Sequence, residues 1–317
     1  MEEKAKLVVT VTECKLISET VKYFQFELID GSLPEFSPGS HVTVSMQNGE
    51  LQRSYSLLSA PTNTRFYAIA VHLNETSKGG SHYMHNNVKV GDTLDISEPE
   101  NYFPLVENST KKHILIAGGI GITPFLSYLH TLQKGAFDFE LHYCFRQPNT
   151  AGFISELKEQ LGDKLFLYNG AQQQRINIAE LMSTIPADSH CYVCGPDSLI
   201  DEVIERGKKS FDDEYIHFEK FTESIQTGHA FDVHCKRSNI TLRVEEDMSI
   251  LQALEADARI NIECLCRNGV CGTCETTILE GEAEHHDLYL SEEEQQEQST
   301  MMVCVSRARS ARLVLDL

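Results

Sequence analysis

The 317 residues are too many for one ordinary hydrophobic core and suit two or three domains of about 100 residues each. Hydrophobic residues at 41% and charged residues at 23% lie near the globular average, far from disordered or fibrous compositions. A net charge of −20 argues against nucleic acid and favours a partner with a basic face, though a solvated acidic surface would have the same composition.

The longest strongly apolar run, Ile114 to Ile122, is broken by three glycines and falls short of the roughly 20 residues of a membrane span. Glu2, Glu3, Lys4 and Lys6 leave no apolar signal-peptide core, so the expectation is no membrane association and a cytoplasmic protein.

Residues 1–105 lack a long helical period and carry β-branched runs at Val8 to Thr12, Tyr23 to Leu28, His41 to Ser45 and Phe66 to Val71. A closed antiparallel barrel is expected. Within it, Arg53-Ser54-Tyr55-Ser56 offers a flat ring with a hydroxyl and a cation to face an anion, the bland alternative being a surface arginine beside a core tyrosine. Lys78-Gly79-Gly80-Ser81 precedes a short helix, expected over His82 to Asn86, and would make a nest for one phosphate.

Residues 106–222 alternate strands and helices. His113 to Ala117 reads as a buried strand, Gly118-Gly119-Ile120-Gly121-Ile122-Thr123-Pro124 as a glycine turn, and Phe125 to Gln133 as a helix, which places free N–H groups where a pyrophosphate can sit. Strands at Phe139 to Phe145, Leu165 to Asn169 and Cys191 to Val193 alternate with helices at Gly152 to Leu161, Ile178 to Met182 and Ser198 to Gly207, which predicts a doubly wound parallel sheet. Cys194-Gly195-Pro196 then falls at its carboxyl edge, where ordinary packing of Cys194 is the alternative to a ligand role.

Residues 223–229 read as a linker and 230–317 as a small β-rich domain. Strands are expected at Phe231 to Cys235 and Ile240 to Val244, turning at Arg237-Ser238-Asn239, followed by a short helix from Ser249 to Ala256 capped by Asp247 or Ser249. From Phe231 onward there are 8 basic and 17 acidic residues, which concentrates negative charge on a docking face for a basic partner.

Ten cysteines are unusual where disulfides are rare, and four of them are spaced as ligands. Cys266, Cys271 and Cys274 form C-x4-C-x2-C and Cys304 follows 30 residues later, the plant-type 2Fe-2S spacing. Gly269 and Gly272 would let the loop curl around a cluster. Zinc is the competing ion, but zinc sites usually use paired C-x2-C knuckles and only Cys271 and Cys274 form one. Cys264 breaks the spacing and reads as a neighbouring buried thiol, while Cys14, Cys144, Cys191 and Cys235 read as core residues. His285 and His286 would have to displace cysteines already present to make a Rieske centre, so they are read as surface residues or neighbours of the ligands.

In order along the chain, Arg53-x-Tyr55-Ser56, Gly79-Gly80-Ser81, Glu98-Pro99-x-Asn101-x-Phe103-Pro104-Leu105, Gly118-Gly119-Ile120-Gly121-Ile122-Thr123-Pro124, Cys194-Gly195-Pro196 and the four cysteines resemble the phthalate dioxygenase reductase and vanillate demethylase reductase family over essentially the whole length. Within that family Glu263 to Cys274, Leu279 to His285 and Cys304 to Leu317 look most like the carnitine monooxygenase reductase subgroup.

The resemblance implies an FMN-binding barrel, an NADH-binding α/β domain and a β-grasp ferredoxin domain serving a separate Rieske-type terminal oxygenase, here one for a quaternary amine. Carried over by position, Arg53, Tyr55, Ser56, Lys78, Gly79, Gly80 and Ser81 would hold FMN. Gly118, Gly119, Gly121, Thr123, Pro124, Arg146, Cys194, Gly195 and Pro196 would line the NADH site, Phe221 would shield the flavin, and Cys266, Cys271, Cys274 and Cys304 would ligate the cluster. The family often has arginine where Lys78 stands, so a bidentate grip on phosphate is lost. No adenine-binding extension is evident, which favours FMN over FAD. Arg146 would suit a 2′-phosphate, so NADH over NADPH rests on the resemblance. The cofactors would carry the redox chemistry and the residues position them, without a general acid or nucleophile. A stand-alone flavin reductase or NADH oxidase and a redox sensor are the competing readings; turnover with a one-electron acceptor, and its dependence on an added oxygenase, separates the three.

Overall fold

In a computed structural model the described residues are 6–49, 51–74, 79–108, 111–186, 188–209, 211–221, 226–257, 259–260, 262–264 and 267–317. They divide into two compact units, 1–221 and 222–317.

The first unit opens with six strands: β1 (Lys6–Leu16), β2 (Val21–Leu28), β3 (His41–Met46), β4 (Leu51–Ser56), β5 (Tyr67–His72) and β6 (Thr93–Ser97). They pair antiparallel in the order β4-β3-β6-β1-β2-β5, and the sheet curls barrel-like until β4 and β5 approach each other. Alternation drives this, since Val42, Val44 and Met46 of β3 all turn inward onto Phe24, Phe26 and Ile96. Helix α1 (Gly80–Asn86) follows β5 and buries Met84 in the same core.

The second half of this unit alternates β7 (His113–Gly118), α2 (Thr123–Lys134), β8 (Phe139–Phe145), α3 (Ile154–Leu161), β9 (Leu165–Asn169), α4 (Ile178–Thr184), β10 (His190–Cys194), α5 (Asp197–Gly207) and β11 (Ile216–Glu219). Every pairing is parallel, in the order β11-β10-β7-β8-β9. On β7, Leu115 and Ala117 pack with Phe125 and Leu129 of α2 and Leu157 of α3, while Ile114 and Ile116 pack with Ile178 of α4 and Ile200 and Val203 of α5. A strand apolar on both sides, covered by helices on both faces, is the doubly wound arrangement expected from the sequence. Strand β11 was not expected, because His217 and Glu219 interrupt its apolar character.

Cross-contacts tie the two halves. Gly39 N donates to Ser127 Oγ at 2.9 Å, the Tyr128 hydroxyl donates to Phe103 O at 2.7 Å, and the Ser18 and Thr20 hydroxyls both donate to Thr150 O at 3.2 Å.

The second unit holds β12 (Phe231–Cys235), β13 (Ile240–Val244), α6 (Ile250–Glu255), β14 (Glu275–Glu280), β15 (Ala283–Glu284), α7 (Glu292–Glu297), β16 (Thr300–Met302), β17 (Arg307–Ala308) and β18 (Arg312–Leu315). The main sheet runs β13-β12-β18-β14-β16, with β12 and β18 parallel and the other pairs antiparallel. It grasps α6, whose Leu251 and Leu254 share a core with Phe231, Val233 and Leu315. Ser249 is the cap: its Oγ accepts from Gln252 N at 3.1 Å and its N–H donates to Gln252 Oε1 at 3.2 Å, a reciprocal box that leaves no part for Asp247.

Candidate functional sites

On the barrel-like sheet, β4 carries Arg53 and Tyr55 two residues apart and therefore on one face, opposite Val44 and Val42 of β3. Gly80 opens α1 directly over Arg53: a Cβ there would lie 2.8 Å from Arg53 Cγ, so only glycine lets the helix start approach the arginine stem. Ser81 Oγ accepts from Asn74 N at 3.2 Å. Burial pushes the Tyr55 hydroxyl up to about 12, against the pull of Arg53, so it stays protonated as a donor. Ser56 is buried and its hydroxyl finds no partner among the described residues, and neighbouring Ser59 is the same. Buried hydroxyls are normally hydrogen-bonded. An orphan of this kind, one residue on along β4 from an aromatic hydroxyl and near a cation in the strand, fits a polar group of a flavin. Lys78 lies outside the described residues, whereas Gly79, at φ +115°, immediately precedes α1.

At the carboxyl edge of the parallel sheet, β7 ends in Gly118 and β10 in Cys194, which are neighbouring strands. Gly121 sits against the Cys194 backbone so closely that a Cβ would fall 2.2 Å from Cys194 O. Gly118 likewise meets Pro196, where a Cβ would come within 2.5 Å of its Cδ, which also seats Gly195 against β7. Gly119, at φ +57°, has open space where a side chain would stand. Thr123 and Pro124 open α2, with Thr123 Oγ1 donating to Ile120 O at 2.9 Å, so the helix start presents backbone to that space. Cys194 is buried and its thiol is held well above its usual range by burial, so it is neutral. Arg146 follows the end of β8 with an exposed side chain, and its carbonyl accepts from Ala171 N at 2.9 Å. Phe221, the last residue of the first unit, is 44% exposed.

In the second unit Cys274 and Cys304 are buried and Cys271 is half-buried. The loop carrying Cys271 and Cys274 ahead of β14 is bent by Gly269 and Gly272, at φ +70° and +76°. At Gly272 a Cβ would collide with the Tyr289 ring at 2.4 Å, so glycine is required by both conformation and space. The sulfurs of Cys264, Cys274 and Cys304 lie within 4.8 Å of one another. Hydrogen bonding from Cys264 and Cys304 pulls the Cys274 thiol down to about 4, while the same contacts and burial drive Cys304 far up. Cys266 lies outside the described residues. The donor set is thiolate-rich, clustered and largely buried, as an iron-sulfur cluster needs. His285 is half-buried and pairs through Nδ1 with Asp287 Oδ1 at 3.4 Å, and Asp287 in turn accepts from Ser306 Oγ at 3.1 Å.

One residue at these sites was not singled out from the sequence. Glu219 closes β11 beside Cys194, and its Oε2 is buried without a partner among the described residues. An acidic residue ending a strand-length run was the available signal, but Ile216 to Glu219 is too short and polar to read as a strand. Cys264, read as a bystander, meets the thiols of two of the spaced cysteines.

Two family comparisons bracket the chain: residues 8–104 match the oxidoreductase FAD-binding domain and residues 233–309 the 2Fe-2S iron-sulfur cluster binding domain. The carnitine monooxygenase reductase subunit of Escherichia coli (strain K12) is 46% identical over 98% of this chain and 98% of its own. The vanillate O-demethylase oxidoreductase of Pseudomonas sp. (strain HR199 / DSM 7063) is 37% identical over 98% and 99%. Among solved structures, phthalate dioxygenase reductase, described as a modular structure for electron transfer from pyridine nucleotides to [2Fe-2S], superposes with a TM-score of 0.76 at 31% identity, over 99% of this chain and 98% of that one. With the curled antiparallel sheet, the doubly wound sheet and the cysteine-bearing β-grasp unit succeeding one another as in that structure, the chain belongs to the family of flavin- and iron-sulfur-dependent oxygenase reductases.

Proposed function

We propose that the protein is the NADH-dependent reductase of a two-component Rieske-type oxygenase acting on carnitine or a related quaternary amine, placed in the cytoplasm. The observation that carries the reading is end-to-end likeness, at 46% identity each, to three carnitine monooxygenase reductase subunits. The flavin is FMN, held by Arg53, Tyr55, Ser56, Lys78, Gly79, Gly80 and Ser81 in a domain of residues 1–105. NADH lies in 106–222, along Gly118, Gly119, Gly121, Thr123, Pro124, Cys194, Gly195 and Pro196, with Arg146 at the margin and Phe221 covering the flavin. After a linker at 223–229, residues 230–317 hold the cluster on Cys266, Cys271, Cys274 and Cys304.

Bound together, the cofactors convert a two-electron hydride donor into a one-electron supply. The chain's share is placement. Gly121 and Gly118 bring β7 and the Cys194 turn into backbone contact, so the glycine turn and the carboxyl edge form one rigid floor. Tyr55 keeps its proton, so its hydroxyl is available as a donor and its ring for stacking, and Arg53 supplies the fixed positive charge. Cys194 stays neutral, which keeps a thiolate away from the negatively charged hydride.

The partner docks on the second unit. Leu288 and Tyr289 are 59% and 49% exposed, and Tyr289 packs on Gly272 of the cysteine loop. Glu282, Glu284, Glu292 and Glu293 lie in the flanking segments, so an apolar contact with an acidic surround faces the oxygenase, whose matching surface is basic.

The test is reconstitution. Purified protein, NADH and a carnitine oxygenase should consume carnitine, with acid-released flavin identified as FMN and two irons per chain. Turnover of ferricyanide from NADH but none of carnitine, with that oxygenase shown active using its own reductase, would overturn the assignment of partner.

A further inference from the structure

The four-cysteine spacing leaves Cys264 out, yet among the described residues its sulfur is grouped with those of Cys274 and Cys304, all within 4.8 Å, and that group does not include Cys271. A tetrahedral ion with metal–sulfur bonds of about 2.3 Å holds its sulfurs about 3.8 Å apart, so three thiols at this separation need little movement to share one ion. Two of them are almost fully enclosed, and Cys264 is half-buried on the solvent side. Three thiols so placed can supply three of the four ligands of a tetrahedral ion, with water as the fourth.

We propose that in chain lacking its cluster, Cys264, Cys274 and Cys304 bind a single thiophilic divalent cation of the zinc class. Two thiolates are shared with the proposed cluster, so the two occupancies exclude each other. Zinc would therefore compete with cluster assembly at this domain. Each ion taken up releases as many as three thiol protons and transfers no electron. The exclusivity rests on Cys274 and Cys304 being cluster ligands; the cation site itself does not.

Full-length protein stripped of iron under reducing, oxygen-free conditions is titrated with cobalt(II), read by its sulfur-to-cobalt charge-transfer and tetrahedral d–d absorption, and then back-titrated with zinc. The expected result is one ion per chain, displaced by zinc. Cys264→Ser should weaken cobalt binding about tenfold or more while still assembling a 2Fe-2S cluster from iron and sulfide. Cys271→Ser should do the opposite, keeping cobalt and losing the cluster. Equal cobalt affinity in wild type and Cys264→Ser overturns the proposal, as does failure of Cys264→Ser to take up the cluster, which would make Cys264 a cluster ligand. If wild type binds cobalt as described but never assembles a cluster, the iron-sulfur reading falls and the cation site stands.

Discussion

Glu219 and Cys194 are register partners on the adjacent parallel strands β11 and β10, so a carboxyl and a thiol stand side by side at the carboxyl edge of the sheet. Neither carries its charge at neutral pH: burial raises the Glu219 carboxyl to about 8 and the Cys194 thiol further. Because Glu219 holds its proton more tightly folded than unfolded, its contribution to stability is complete below about pH 4.5 and is lost as pH rises toward 8. Glu219→Gln, a mimic of the protonated form, should melt close to wild type at about pH 4.5, where the carboxyl is protonated in both states. It should gain roughly 2 kcal/mol over it at pH 9, a figure discounted for partial exposure. Parallel melting curves at both pH values would contradict the neutral carboxyl.

The close approach at Gly121 gives a sharper outcome. Gly121→Ala places a carbon 2.2 Å from Cys194 O, and both partners are backbone, so β7 and the Cys194 turn must separate. The expected effect is a rise of at least about tenfold in the KM for NADH, since a displacement near 1 Å in a positioning element has consequences of that order or larger. Iron content should be unchanged, because the cysteine loop belongs to the other unit. Stopped-flow reduction of the flavin reads the first, iron analysis the second.

A histidine stack lies at the opposite edge of the same sheet. His113 and His190 are register partners with rings 5.6 Å apart, and His190 Nδ1 lies 3.2 Å from His217 Nε2. Burial and mutual repulsion hold His113 and His217 down to about 4. Burial lowers His190 as well, and Lys111 adds to it, with Glu214 and Asp188 opposing. Unfolded histidines titrate near 6.5, so stability is full above that pH and falls as pH drops toward 4, by ~1–3 kcal/mol per ring. His113→Phe removes a ring whose nitrogens have no partner among the described residues. The variant should lose less stability than wild type between pH 7 and pH 5, as followed by urea denaturation.

Arg307 is the largest fully buried side chain among the described residues. Its guanidinium donates to the carbonyls of Gln226 (2.9 Å), His229 (3.0 Å), Glu245 (3.1 Å) and Met248 (2.5 Å), and it lies over the Phe231 ring at 5.2 Å. Four backbone carbonyls take up the guanidinium's hydrogen bonds, with Glu284 and Asp247 adding attraction through space, so a lysine, with a compact ammonium, leaves some of the carbonyls unmet. Arg307→Lys should destabilise the second unit by ~2–4 kcal/mol. Cluster bleaching at a lower urea concentration, with the flavin still bound, is the expected signature.

Cys304→Ser addresses the electron path. Iron content and the visible cluster absorption should vanish and oxygenase-coupled turnover fall more than about a hundredfold, while NADH still reduces the flavin. Loss of flavin reduction as well would place Cys304 in a structural role.

Much of this protein was readable along the chain because its signals are local. The C-x4-C-x2-C spacing, the Gly118 to Pro124 turn ahead of a helix, and the alternating apolar runs each depend on residues within a few positions of one another, where backbone geometry alone fixes what can meet. What pairs distant segments was not readable. Spacing separates Cys264 from Cys271 and Cys274, but which sulfur reaches Cys304 depends on how the glycine-bent loop lies against β16 and the turn that carries Cys304. Glu219 acquires meaning only when β11 aligns with β10, and Arg307 only when four carbonyls from two separate stretches, 226–229 and 245–248, converge on it. In each case the deciding quantity is burial of a polar or titratable group, and burial is a property of the assembled core rather than of any stretch of sequence.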